Sequence, residues 1–587
     1  MSLPAIRTEL KTWKFTLDQT KYGLGAGWIM PEYDDSRWIE VETYTSWETF
    51  EYAMDDFEGQ GIFRTWYEAT KKSGNRHVLK FDGVGGTAEV YVNGRLMGKN
   101  DNRYLPFDID ITAALKDSGK NLIAVIVNNA FRGRDHLPGA KTTEWVLYGG
   151  LNHRIYVEEQ PAVYITNARI EAAANGEICA MVTVENRTLG NHPEFTGSVQ
   201  LTVEGISDLV LEQEVFLGAK EIKELVFTGK AEGIETWSPD HPNLYYVNLT
   251  MSCKGEAFCT RRERFGFRTI EVQGTKILLN GEEIYLKGAN RYDEYAPYGI
   301  NPPEELIRKD FMDMKACGLN LVRTHYPQDE IHYRIADEVG IMYMIEVPIN
   351  WWFPKDTETF ADFCGLAAEA VDCTDRTIRA FGNHPCWTIW STGNECSHSH
   401  PACQQMFRMI AERMRSFHTN RLITYASNKP LLNSEELDFC DFLSMNYYSG
   451  ILSENASQFP EQLNAVLSKK METAQELYPN VPHVMTEFGY VCVRGLHGSL
   501  TEGRFTEDFG STFLKADLAE FMKNPLMRGM IIWCWADYRH RRGFAGGGMH
   551  LSATYGPYGI VTMDRKVKTM IWDVMQHFYT NWHPTQD

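Results

Sequence analysis

Two glutamates are candidates for chemistry because each ends a short run with the composition of a buried strand. Glu395 closes the run 390–395, and Glu487 lies within the run 485–489. Paired carboxyl groups cleave a glycosidic bond with retention when one protonates the leaving oxygen and the other, about 5–5.5 Å away, attacks the anomeric carbon. The two glutamates therefore predict acid and nucleophile chemistry, provided that the fold brings them to one cleft.

The chain after residue 268 has an element pattern that would bring them together. Strand-like apolar runs occur at 285–289, 319–323, 342–346, 387–390, 422–425, 442–446, 483–487 and 530–533. Helical patterns occur between them, at 304–317, 329–339, 360–381, 404–417, 460–477 and 512–523. Eight strand–helix units in about 300 residues predict a (β/α)₈ TIM barrel, whose functional residues lie at the carboxyl ends of the strands. Glu395 follows the fourth strand and Glu487 ends the seventh, so both face one mouth.

The first part of the chain reads as two β-sandwiches. Short strand-like runs up to residue 161 include 88–92 and 95–97, which Asn93-Gly94 joins as a hairpin signal. We predict a jelly-roll-like, sugar-binding-like β-sandwich over 1–161 and an immunoglobulin-like β-sandwich over 162–268. The catalytic barrel takes 269–587.

Composition excludes several classes of partner. The 587 residues carry 58 Lys and Arg against 78 Asp and Glu, a net charge of −20, which repels nucleic acid and anionic membranes. No apolar run has the length of a membrane span or of a signal peptide. The 12 cysteines are irregularly spaced, which is typical of reduced thiols. We expect a cytoplasmic homo-oligomer that binds neither nucleic acid nor membranes.

One cluster of metal-ligating residue types occurs, at Cys396, His398, His400 and Cys403. Its spacing matches no common structural zinc pattern, so we interpret it as loop packing and predict no metal site. Neither a Gly-rich phosphate motif nor a cofactor fingerprint is present, and we predict no cofactor.

Many segments resemble glycoside hydrolase family 2, whose members are β-galactosidases, β-glucuronidases and β-mannosidases. The resemblance covers nearly the whole chain. It rests on the segments 81–84, 90–94, 148–151, 265–268, 279–281, 287–291, 323–327, 382–385, 390–395 and 486–489. The last three of these are the most specific.

The resemblance implies roles for the mouth residues. Glu395 resembles the family acid/base and Glu487 the family nucleophile, while Asn394 resembles the residue that hydrogen-bonds the sugar 2-hydroxyl. Either Tyr448 or Tyr447 is similar to the tyrosine that hydrogen-bonds the nucleophile, and the sequence leaves the register open.

The same resemblance implies supporting residues for the sugar. Trp533 is similar to the aromatic floor beneath the sugar ring, although Trp535 is an alternative and only one of them is expected to face the mouth. Arg323 and His325 follow the second strand and resemble active-site supports, or are ion-paired barrel residues.

Two departures from the family pattern bear on the sugar. β-Glucuronidases carry an Asn-x-Lys motif before Gly-Ile-x-Thr, and here residues 556–558 contain neither residue. The run 539–542 nevertheless holds Arg539, Arg541 and Arg542 beside His540. Guanidinium groups bind carboxylates through two hydrogen bonds, so this run could replace the missing motif as an anion clamp. Alternatively, it is a solvated turn that pairs with neighbouring acids.

The second departure is Glu144, at the point where glucuronidases carry an Asp near the sugar 4-hydroxyl. A longer carboxylate there suits an axial 4-hydroxyl. We therefore predict a retaining exo-β-hexuronidase acting on a small glycoside or oligosaccharide, with β-galacturonidase favoured over β-glucuronidase. A β-galactosidase is the alternative, and a non-catalytic carbohydrate-binding protein is a remote one.

Overall fold

The structure is a computed structural model that describes residues 6–50, 54–70, 75–188, 194–448, 460–500, 505–542, 544 and 555–584. Two β-sandwiches are followed by a closed eight-stranded parallel barrel, which confirms the predicted fold class. Within these residues, every helix is too short or too polar to cross a membrane.

The first sandwich packs two antiparallel sheets around an apolar core. Its strands are β1 Ile6–Glu9, β2 Thr12–Leu17, β3 Ile39–Glu42, β4 Gln60–Thr70, β5 Asn75–Phe81, β6 Thr87–Val92, β7 Arg95–Asn100, β8 Phe107–Asp110, β9 Ser118–Asn128 and β10 Ile155–Pro161. One sheet has the order β1-β10-β5-β8 and the other β3-β2-β4-β9-β6-β7. Asn93 and Gly94 both have positive φ, as a tight hairpin between β6 and β7 requires.

The second sandwich has sheets of three and four strands. They are β11 Val163–Ala172, β12 Glu177–Asn186, β13 Phe195–Val203, β14 Ile206–Leu217, β15 Ile222–Lys230, β16 Tyr245–Cys253 and β17 Glu256–Phe265. A small sheet leads from it to the barrel, with strands β18 Ile270–Gln273, β19 Lys276–Leu279 and β20 Glu282–Glu283. Alternating buried residues from both sheets form the core of the second sandwich, as expected for an aligned sandwich.

Each predicted barrel run overlaps one strand of the ring. The ring strands are β21 Leu286–Asn290, β22 Leu321–Thr324, β23 Met342–Glu346, β24 Trp387–Asn394, β25 Leu422–Ser427, β26 Leu443–Asn446, β27 His483–Glu487 and β28 Met527–Ile532. The short pair β29 Tyr538–Arg539 and β30 Tyr555–Gly556 follows. Almost every ring residue is buried, because helices cover the outer face and side chains fill the interior.

Helices surround the ring, and local signals set their ends. They are α1 Glu304–Ala316, α2 Glu330–Val339, α3 Cys364–Phe381, α4 Pro401–Arg415, α5 Pro460–Leu477, α6 Glu507–Phe521 and α7 Thr569–Asn581. The Asp329 side chain caps α2 by accepting from Ile331 N at 2.9 Å, and Gly340 ends that helix in the left-handed region.

The first sandwich docks onto the mouth of the barrel. Tyr104 stacks on Tyr326 with 4.6 Å between ring centroids, and Trp145 stacks on His325 at 5.8 Å. Because His325 follows β22 directly, this docking places sandwich residues at the carboxyl ends of the barrel strands. The site therefore combines residues from both domains.

Candidate active site

Glu395 turns away from the end of β24 into the mouth. Its φ of +51° lies in the left-handed region, which costs a non-glycine residue about 1–2 kcal/mol. Its backbone N–H donates to the Ala426 carbonyl at 2.9 Å, and this bond helps to hold the turn. The Asn446 amide donates to its Oε1 at 2.9 Å, and the Trp351 indole donates to its Oε2 at 2.9 Å. The carboxyl group is therefore fixed in one orientation.

The Glu395 carboxyl is electrostatically suited to act as an acid. Burial and, secondly, the negative charge of Glu487 raise its pKa to about 7, although the hydrogen bonds from Asn446 and Trp351 favour the ionised form. A carboxyl with this pKa carries a proton near neutral pH and can transfer it to a leaving oxygen.

This pKa predicts the pH profile of catalysis. Because Glu395 must be protonated to act as an acid, we expect kcat/KM to be retained below pH about 7 and to fall as the pH rises above it. Trp351→Phe removes a donor that favours the ionised form, so this alkaline limb should move to higher pH. Initial rates over pH 5–9 locate the alkaline limb in wild type and in Trp351→Phe. A limb that stays in place or moves to lower pH would contradict the role of Glu395.

Glu487 ends β27 and is 4% exposed. Arg323 Nη1 donates to its Oε1 at 2.7 Å, and the Tyr448 hydroxyl donates to its Oε2 at 2.8 Å. The guanidinium compensates its negative charge, and the two donors together hold the carboxylate plane. Tyr447, by contrast, is buried in the barrel core beneath Lys470. The register left open by the sequence thus places Tyr448 against Glu487.

A further carboxylate, Glu346, organises the floor of the site. It lies at the end of β23 and accepts from Arg323 Nη2 at 2.9 Å and from Ser391 Oγ at 2.7 Å. His325 Nδ1 lies 2.8 Å from its other oxygen. This leaves His325 Nε2 directed at Glu487, 3.9 Å from Oε1. Arg323 and His325 therefore both join Glu346 to Glu487.

Asn394 connects this floor to the acid. Its Oδ1 accepts from Arg323 Nη2 at 2.8 Å and from Asn446 Nδ2 at 2.9 Å. Its Nδ2 donates to Asn350 Oδ1 at 2.7 Å. A continuous network thus runs from Glu395 through Asn446, Asn394 and Arg323 to Glu487, and such a network restricts the motion of every member.

The two tryptophans after β28 have different surroundings. Trp533 packs against His325, with 5.2 Å between ring centroids, and its indole donates to the Tyr538 hydroxyl at 3.1 Å. Trp535 instead lies in the barrel core, where its indole donates to Asp310 at 2.5 Å. Trp533 is therefore the tryptophan at the mouth.

Glu144 enters the site from the first sandwich. The Tyr538 hydroxyl donates to its Oε1, and His540 Nε2 lies 3.5 Å from the same oxygen. Trp145 pairs with His540 through a backbone bridge, which ties the sandwich segment to the basic run. Glu144 thus belongs to the wall that contains Trp533.

The arginines of the basic run meet acids of the first sandwich. Arg541 binds Glu58 through Nε and Nη2 and donates from Nη1 to Thr142 Oγ1 at 2.9 Å. Arg539 pairs with Asp55, and the Arg542 side chain is 80% exposed with its Nε 3.9 Å from Asp56. For Arg539 and Arg541 these contacts favour the interpretation that the run pairs with neighbouring acids over the interpretation that it is an anion clamp. In Arg541 the Nε and Nη2 edge is occupied by Glu58, and Nη1 is engaged by Thr142.

The residue types that suggested a metal are held by other partners. His398 Nδ1 lies 3.1 Å from Ser427 Oγ, while His400 accepts from the first turn of α4. Cys396 accepts from the Trp352 backbone, and Cys403 donates to the same residue's carbonyl. Across the described part of the chain, the structure brings no three His, Cys, Asp or Glu side chains into a metal-binding group.

Sequence reasoning missed four polar contributors: Asn290, Glu346, Trp351 and Asn446. Of these, Asn290 accepts from Arg323 Nη1 at 2.9 Å. Asn290, Glu346 and Asn446 each end a ring strand, so the rule that selected Glu395 would also have selected them. Trp351 lies in a loop and carries no comparable signal.

Models of protein families match three consecutive stretches of the chain. The TIM barrel domain of glycosyl hydrolases family 2 matches residues 270–583, more than half of the chain. The chain belongs to glycoside hydrolase family 2. The galactose-binding domain-like model of the family matches 35–173, and its central domain matches 163–268.

Relatives in this family have more than one activity. A putative β-glucuronidase of Formosa agariphila is 28% identical over 64% of this chain and 46% of its own length. A β-galactosidase of Thermoanaerobacter pseudethanolicus is 26% identical over 88% of this chain and 65% of its own. A β-glucuronidase of Paenibacillus borealis is 25% identical over 90% of both. The chain thus spans less than two thirds of the first two relatives.

Solved structures of the family share the whole fold. A β-galacturonidase of Eisenbergiella tayi bound to galacturonate is 24% identical, with a TM-score of 0.83 over 99% of this chain and 98% of that one. A β-glucuronidase of Ruminococcus gnavus in complex with D-glucuronic acid is 23% identical, with a TM-score of 0.81 over 99% of both. At these identities the likeness shows a common architecture.

Proposed function

We propose that the protein is a retaining exo-β-glycosidase that releases a terminal β-linked hexuronic acid, with galacturonic acid favoured over glucuronic acid. The observation that carries the proposal is the network that joins the carboxyl of Glu395 to the carboxylate of Glu487 around one opening. A protonated acid and a charge-compensated carboxylate are the two groups that double displacement requires.

The proposed reaction has two steps. Glu487 attacks the anomeric carbon and forms a glycosyl–enzyme ester, while Glu395 gives its proton to the departing oxygen. Glu395, now ionised, takes a proton from water, and the resulting nucleophile displaces Glu487 and restores both groups. Asn394 is positioned by Arg323 and Asn446, and we propose that it binds the sugar 2-hydroxyl.

The wall around Glu144 supports an exo-acting enzyme. Trp145 is buried between His325 and Tyr326, so the sandwich closes the cleft on this side. A closed end leaves room for a terminal sugar rather than for the middle of a chain. Glu144 is then the acceptor for the 4-hydroxyl of that sugar, and Trp533 is its aromatic floor.

The hexuronic specificity is supported by the composition of this wall and by the structural relatives. His540 lies beside Glu144, so a nitrogen donor adjoins the proposed 4-hydroxyl site. Structures that share the complete fold are named a β-galacturonidase and a β-glucuronidase, and both hold a uronic acid. Because one relative is named a β-galactosidase, a neutral galactoside is the alternative substrate. Cytoplasmic location and homo-oligomerisation stay predictions.

Three substrates that share the p-nitrophenyl leaving group test the sugar. We expect kcat/KM to be highest for the β-galacturonide, lower for the β-glucuronide, and at least about tenfold lower for the β-galactoside, since charge-assisted contacts to the carboxylate are lost. A preference for the galactoside would overturn the hexuronidase proposal in favour of a β-galactosidase. Hydrolysis of none of the three would favour a non-catalytic carbohydrate-binding protein.

Variants of the basic run identify the carboxylate contact in the same assay. We expect His540→Asn to lose about 30-fold or more in kcat/KM on the galacturonide, and Arg542→Ala, whose side chain is exposed, about three- to tenfold. Both should lose much less on the galactoside. Arg541→Ala is the matched control. Because Glu58 binds the guanidinium of Arg541, this substitution should change kcat/KM for both substrates alike. Equal losses of kcat/KM on both substrates for all three variants would show that this run does not bind the sugar carboxylate.

A further inference from the structure

A second cleft opens on the acid side of the mouth. It has a volume of about 230 Å³ and is lined by Arg134, Gly139, Ala140, Lys141, Thr142, Trp351 and Phe353. The Trp351 indole in its wall donates to Glu395 at 2.9 Å. Since Glu395 protonates the departing oxygen in the proposed reaction, the leaving group must lie next to this wall. The cleft is therefore in position to hold the first residue of the leaving group.

The lining of this cleft is basic, although the whole chain carries a net charge of −20. Its two charged residues are Arg134 and Lys141, and none of its seven residues is acidic. Arg134 is compensated by Glu358, with contacts of 2.9 and 3.3 Å. Lys141 forms no ion pair within the described residues. It is therefore the uncompensated positive charge among the residues that line the cleft.

Aromatic rings supply the other walls. Phe353 is 45% exposed, and Lys429 Nζ lies 5.0 Å from its ring centroid. Trp351 is stacked on Phe544 with 5.4 Å between centroids and 6° between planes. The exposed ring of Phe353 suits the apolar face of a sugar, and the ammonium groups of Lys141 and Lys429 add positive charge. This combination fits an acidic saccharide better than a neutral one.

The segment that carries Lys141 is held firmly against the barrel. The Pro138 carbonyl accepts from Asn350 N at 3.0 Å. Gly139 has a φ of +82°, and a Cβ there would lie 3.0 Å from Leu366 and 3.3 Å from Trp352. Since the backbone two residues before Lys141 is fixed in this way, the exposed lysine side chain starts from a fixed point at the edge of the cleft.

We propose that the natural substrate is an acidic oligosaccharide in which the residue on the leaving side also carries a carboxylate, and that Lys141 binds this group. The inference rests on the proposed function for the terminal sugar, but it concerns a different sugar and a different residue. It makes the enzyme an exo-acting hydrolase of polyuronide fragments rather than of uncharged conjugates.

The test compares two disaccharides with the same terminal uronic acid. In one the second residue is a free uronic acid, and in the other its carboxylate is a methyl ester, so that only the charge on the leaving side differs. We expect wild type to cleave the acid about three- to tenfold better in kcat/KM, the range for a partly exposed charge pair. In Lys141→Met this ratio should fall below about twofold, and in Lys141→Arg it should persist.

Lys120→Met is the matched control, because it removes the same charge from an exposed position on β9 of the same sandwich. Its ratio should equal that of wild type. A wild-type ratio near one, or a high ratio that survives Lys141→Met, would overturn the inference. The p-nitrophenyl uronide assay separates this failure from failure of the proposed function. If wild type prefers p-nitrophenyl galactoside, the same ratio is measured with galactosyl-uronic acid and its methyl ester.

Discussion

Glu487→Gln is expected to lower kcat by at least about 10⁴-fold, on the order of 5.5 kcal/mol of transition-state stabilisation. The amide keeps the size of the side chain but cannot attack the anomeric carbon, so no glycosyl–enzyme forms. The measurement is kcat on the p-nitrophenyl uronide, with circular dichroism to show that the fold is retained. Turnover within tenfold of wild type would exclude Glu487 as the nucleophile.

Two neighbouring tyrosines supply a matched control for this result. Tyr448→Phe removes the hydroxyl that donates to Glu487 Oε2, and we expect kcat to fall about ten- to a hundredfold, the value of a hydrogen bond to a charged group. Tyr447→Phe makes the same chemical change one residue earlier, in the barrel core, and should leave kcat within about twofold. Equal effects in the two variants would contradict the assignment of Tyr448.

The barrel was predictable from the sequence because of how its strands are buried. A strand covered on both faces, such as β23, reads as a continuous apolar run, and eight such runs separated by helical patterns leave few alternatives. Helix α7 was not predicted. Its sequence from Thr569 to Asn581 is rich in aromatic and β-branched residues, and no side chain caps its start. Packing against the barrel stabilises it, and local sequence does not report packing.

The positions of the candidate catalytic residues were predictable for the same reason, but their partners were not. The strand-end rule selected Glu395 and Glu487 directly. The partners of Arg539 and Arg541 are Asp55 and Glu58, which lie more than 480 residues away in the chain. A local concentration of positive charge indicates that acids will be near it, yet only the docking of two domains decides whether those acids come from the protein or from a substrate.

Glu395→Gln is expected to separate substrates by the basicity of their leaving groups. General acid catalysis contributes about 10²–10⁴-fold, and this contribution is needed only when the departing oxygen is basic. We expect kcat/KM for a methyl uronide to fall about 10³-fold or more, and that for a 2,4-dinitrophenyl uronide to fall less than about tenfold. The ratio kcat/KM is the informative constant, since it reports formation of the glycosyl–enzyme and excludes the later step in which Glu395 acts as a base.

The structure gives this variant an internal control. Glutamine at position 395 keeps the size of the side chain and can accept from either Trp351 or Asn446 through its one oxygen, so the shape of the mouth is largely kept while the proton is lost. Azide, a nucleophile that needs no base, should therefore restore kcat on the activated substrate by removing the sugar from Glu487. Equal losses on the methyl and dinitrophenyl uronides, or a product of inverted anomeric configuration by NMR in wild type, would reject the division of roles. Glu487→Gln should lower kcat/KM for both substrates to a similar extent, because every leaving group requires the nucleophile. This contrast with Glu395→Gln distinguishes an acid from a residue that merely shapes the site.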